Sequence, residues 1–140
     1  MATKTDFTEQ EWKALQGAVT GAGLWVAAAD RGFFDSFKEA SALAHHLRDA
    51  HEKSDSVLVR DIAGGTEKPF GMTASPAEME QATTVALRQA LAALEAKAAQ
   101  DIPAYKQLIL DVAESVANAA KGVSASENEA LGRIKAALGS

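Results

Sequence analysis

The side chains best equipped for chemistry cluster in the first half of the chain. Three histidines fall at His45, His46 and His51. On a helix, His45, Asp49 and Glu52 stand at i, i+4 and i+7, a spacing that lines one imidazole and two carboxylates along one face. Nitrogen and carboxylate donors in that order suit zinc or another divalent ion, and they would be the working residues of a small metalloenzyme or a metal-binding protein. The competing reading is a solvated helix end, since no remote fourth ligand stands out in the sequence.

Upstream, Asp30, Asp35 and Glu39 flank a turn and invite comparison with a calcium loop. An EF-hand takes oxygen ligands from the first, third and fifth positions of its loop, but counting from Asp30 puts Gly32 and Phe34 at the third and fifth. A looser carboxylate site and simple helix capping by Asp35 are the two readings left. The segment Gly64-Gly-Thr-Glu-Lys-Pro-Phe-Gly71 has the composition of a phosphate loop without its order, and no strand precedes it, so it reads as a connector. No serine sits in a nucleophile elbow. The chain has no cysteine, which removes disulfides, thiolate metal sites and cysteine nucleophiles, and agrees with a reducing compartment. A net charge of −5 with scattered basic residues disfavours nucleic acid as a partner.

The elements that must position these residues are helices. Thr8-Glu-Gln-Glu11 is a capping box with Phe7 and Trp12 as its hydrophobic staple, so a first helix starts near residue 8. Its buried stripe is Trp12, Leu15, Val19, Ala22 and Val26, and Gly17 and Gly21 form a Gly-xxx-Gly step open to two readings, a close helix contact or tolerated glycine. Asp35 can cap a second helix carrying Phe37, Ala40, Leu43, Ala44 and Leu47. Residues 56–63 read as a short helix closed by Gly64-Gly65, because the chain offers no second strand-like run to pair with. Ser75-Pro76-Ala77-Glu78 opens a long fourth helix running to about Asp101 with Leu87, Leu91, Leu94 and Ala98 on one face. A fifth helix begins at Pro103 and buries Tyr105, Leu108, Ile109, Val112 and Val116; a sixth, capped at Ser124, buries Leu131, Ile134 and Leu138. Trp25, Phe33, Phe34 and Phe37 concentrate around one turn, as core or as a partner surface.

Two of these hairpins repeat. Residues 26–40 and 116–130 align without gaps at an offset of ninety, with seven of fifteen positions identical, Gly32/Gly122 and Glu39/Glu129 among them. The preceding stripes share one register, Leu15, Val19, Ala22 and Val26 matching Tyr105, Ile109, Val112 and Val116; the following ones match after a one-residue slip. The sequence therefore predicts an all-α fold, a single-domain bundle of about six helices over residues 1–140, with a first hairpin at about 8–53, a variable middle at 54–101 and a second hairpin at about 103–138.

The repeat, with its second copy Ala119-Ala-Lys-Gly-Val-Ser-Ala-Ser-Glu127, resembles the tellurite-resistance TerB-like helical family. That family places an Ala-Asp-Gly turn and a downstream glutamate between paired helices, twice per domain. The first copy departs from it by Arg31, inserted between Asp30 and Gly32, and the second by Lys121 in the aspartate's place. The resemblance covers both hairpins, and it implies an acidic or metal-binding site whose remnants are Asp30, Glu39 and Glu127; with Asp35 of the looser carboxylate site they are the candidate ligands of a divalent metal ion.

These observations lead to the expectation of a non-enzymatic, cytoplasmic stress-response module that binds a partner protein or an ion at the repeat turns. The alternatives are the metal site at His45, Asp49 and Glu52, and a structural homo-oligomer touching through Gly17 and Gly21. With no apolar signal core at the N-terminus and no run of about eighteen apolar residues, neither export nor a membrane span is expected.

Overall fold

The structure, a computed structural model, describes residues 4–29, 45, 47–52, 57–64, 75–119 and 125–138. Among them there are six α-helices and no strand. They are α1 (Glu9–Ala29), α2 (45 and 47–52), α3 (Val57–Ala63), α4 (Pro76–Lys97), α5 (Ile102–Ala119) and α6 (Ala125–Ala137), with 3-10 turns at Lys4–Asp6 and Ala99–Asp101. The all-α bundle expected from the hydrophobic periodicity is what the chain forms.

Helix α1 starts where its chemistry places it. The Thr8 amide donates to Glu11 Oε1 at 2.8 Å and the Glu11 amide donates to Thr8 Oγ1 at 3.1 Å, so two donors that helix geometry leaves orphaned are satisfied reciprocally. Phe7 and Trp12 close the staple with ring centroids 6.0 Å apart, and both are buried. Beyond this turn α1 packs against α3, α4, α5 and α6. A helix enclosed on several sides must be apolar around most of its circumference, which accounts for the uncharged run from Ala14 onward. Gly17 and Gly21 are both buried within the single chain. No helix among the described residues is long and apolar enough to cross a membrane.

Helix α4 opens with the second capping box. Ser75 Oγ accepts from the Glu78 amide and Glu78 Oε1 accepts from the Ser75 amide, both at 3.2 Å, with Pro76 in the first turn. It ends at Lys97, one turn before the expected Asp101. Pro103 explains the difference: in a continuous helix its ring would clash with the carbonyl of Ala99 four residues back. The break falls at Ala98 (φ −154°, ψ 51°), a 3-10 turn takes up the slack, and α5 starts at Ile102. Leu87, Leu94 and Ala98 are buried and Leu91 is half-buried at the edge of the core.

One core joins the helices, from Phe7 and Trp12 through Leu58, Ile62 and Leu87 to Ile109, Ile134 and Leu138. At its centre Tyr105 is fully buried and its hydroxyl donates to the Leu15 carbonyl at 2.7 Å. Positions 15 and 105 are equivalent under the ninety-residue offset, so α1 and α5 meet at matched residues of the sequence repeat. Burial pushes the Tyr105 phenol far above its ordinary range, keeping it a neutral donor.

Candidate functional site

A groove of about 880 Å³ runs along the surface between the start of α1 and the outer flank of α4. Its floor on α4 is Ala82, Val85, Ala86, Ala92 and Ala93, with Gln89 at mid-length; Gln10, Glu11, Lys13 and Ala14 form the α1 wall. The α4 residues recur at three- and four-residue steps, a second stripe beside the core stripe of Leu87, Ala90 and Leu94. Alanine makes that floor shallow and lets another backbone approach closely. Val85 is 46% exposed and is the one exposed large apolar side chain among the described residues.

Charge pins one end of this groove. Lys97, at the last turn of α4, bonds Glu11 in the first turn of α1 and lies 5.7 Å from the centroid of the Phe7 ring. The Lys97 hydrogen bond, followed by the Thr8 backbone amide, holds the Glu11 carboxyl below its ordinary value of 4.5. The Thr8 hydroxyl is committed to the capping box, so the groove presents apolar floor and polar rim, the composition of a binding surface. Elsewhere Arg133 of α6 bonds Glu80 of α4 and, at 2.7 Å, Glu129, fastening α6 to the opposite side of α4.

His45, Asp49 and Glu52 are exposed on α2, and no group of three or more histidine, aspartate or glutamate side chains among the described residues is arranged to hold a metal ion. Asp30, Asp35 and Glu39, with the turns at Gly32 and Gly122, the aromatics at Phe33, Phe34 and Phe37, His46, the Ser124 cap and the connector after Gly64, lie outside the described residues. Of Glu127 only its place in α6 is described.

Two residues have roles that the sequence did not disclose. The last carbonyls of a seven-residue helix have no intrahelical donors, and α3 has two of them satisfied from elsewhere: His51 Nδ1 binds the Arg60 carbonyl at 2.8 Å, and Gln16 Nε2 of α1 donates to the Ile62 carbonyl at 3.3 Å. Gly64, which ends α3 with its amide on the Asp61 carbonyl at 3.3 Å, does not have the left-handed φ of a glycine cap. Its small size is used differently, because a Cβ there would lie 3.0 Å from the His51 ring. His51 is thus a structural partner of α3.

No protein-family model, curated protein or solved structure matches this chain. The likeness to TerB-like domains accordingly rests on the repeat residues alone.

Proposed function

We propose that the chain is a non-enzymatic helical module, similar to TerB-like stress-response domains, that works by binding a protein along the α1–α4 groove. The observation that carries this reading is Val85: a branched apolar side chain nearly half exposed, on an alanine floor and inside a polar rim, and the one exposed large apolar side chain among the described residues. The repeated helix–glycine–turn pattern supports the kinship with TerB-like domains. A photo-crosslinking residue at Val85 tests the reading, with one at the exposed and remote Glu114 as control. Expressed in the protein's own host, the Val85 probe should form one predominant protein adduct that the Glu114 probe does not; identical adduct patterns at the two positions would retire it.

A further inference from the structure

We propose that the occupant of the groove is helix α4 of a second copy of this chain, packed antiparallel about a two-fold axis. The inference rests on the protein-binding reading above and identifies the partner. Its first support is spacing. Ala82, Val85, Gln89, Ala92 and Ala96 follow alternating steps of three and four, the a and d positions of a helix–helix seam, and apart from the half-buried Ala82 all are exposed. Four small or branched apolar residues around one glutamine allow two such helices to approach closely.

The second support is charge. Arg88 and Glu95 flank that seam one heptad apart, both exposed, and neither has an ion-pair partner among the described residues. In the antiparallel register that sets Gln89 opposite Ala92 and Val85 opposite Ala96, Arg88 of each copy meets Glu95 of the other. Both pairs form at once because the two-fold axis makes them copies of each other. The adjacent antiparallel register, Val85 opposite Gln89, would set Arg88 against Arg88, and a parallel pairing would set Arg88 beside Ala93. One helix therefore carries both halves of a charge pattern that completes itself in a single register, which a surface shaped for an unrelated protein has no reason to do.

Sedimentation equilibrium of the purified full chain over a range of concentrations tests this. The wild-type chain should show a monomer–dimer equilibrium. Arg88→Glu and Glu95→Arg should each raise the dissociation constant about tenfold or more by placing like charges across the seam, and the double exchange should restore it. Both positions are exposed, so circular dichroism should be unchanged and a lost dimer cannot be ascribed to misfolding. A wild-type chain that stays monomeric throughout, or a dimer indifferent to both single exchanges, overturns the proposal. If the chain is monomeric while the Val85 probe captures a different protein, self-pairing fails and the binding groove stands; if that probe also behaves like the Glu114 control, both fail.

Discussion

His51 illustrates how a residue that looks chemical in sequence becomes structural in space. Its imidazole holds the Arg60 carbonyl at the end of α3, and the missing β-carbon of Gly64 leaves room for the ring. This coupling is testable with a double-mutant cycle. His51→Ala removes the bond and should destabilise the fold by about 0.5–1.5 kcal/mol. Gly64→Ala in the wild-type chain places a methyl 3.0 Å from the ring, so the ring must give by a few tenths of an ångström and part of that bond's contribution is lost. Against that loss stands a gain of about 0.4–1 kcal/mol from restricting the unfolded chain, since Gly64 does not need a left-handed backbone. In the His51→Ala background only the gain remains, and Gly64→Ala should stabilise. Urea denaturation of the four proteins reads this directly; an identical effect of Gly64→Ala in both backgrounds would show that ring and glycine are not coupled.

At the level of elements, what was legible in the sequence is what local chemistry determines. Thr8 with Glu11 and Ser75 with Glu78 declare helix starts because donor and acceptor lie three residues apart, and the stripes Leu15–Val19–Ala22 and Tyr105–Ile109–Val112 declare buried faces because periodicity is a property of one helix. The caps on α3 were not legible. Gln16 and Ile62 are separated by 46 positions, and nothing in either neighbourhood encodes their meeting. The groove is illegible for a different reason: alanine serves core and surface alike, so composition alone does not mark α4's second stripe beside Leu87, Leu91 and Leu94. Nothing near Lys97 in sequence signals its tie to Glu11, 86 positions away, which joins the end of α4 to the start of α1. That tie has a pH signature. Because Glu11 is held below 4.5 in the folded chain, its ionised form contributes stability that is fully present above the unfolded value and is lost as pH falls through the lowered one. Lys97→Met keeps a stem over Phe7 and removes the largest cause of the shift. It should be less stable than wild type at neutral pH, with the gap narrowing below pH 4.5 and closing once Glu11 is protonated. A gap that persists undiminished in acid would assign the loss to packing instead of to the ion pair.

For the whole molecule the decisive fact is that α1 is shared. It borders α3, α4, α5 and α6, accepts the Tyr105 hydroxyl at Leu15, donates Gln16 to α3 and holds Lys97 through Glu11. Opening α1 therefore uncovers core on every side at once, which amounts to global unfolding, whereas α3 is seven residues long and depends on two borrowed caps. Amide hydrogen exchange should separate these cases. Backbone amides of residues 15–26 should exchange only through the global transition, with an opening free energy equal to that of denaturation and the same dependence on denaturant. Amides of α3 should exchange through a smaller opening that exposes little surface, and His51→Ala should lower that local free energy further while leaving the α1 amides tied to the global value. If α1 amides instead opened more easily than those of α6, the bundle could not be organised around α1, and the shared-helix account of its uncharged run and buried glycines would fall with it.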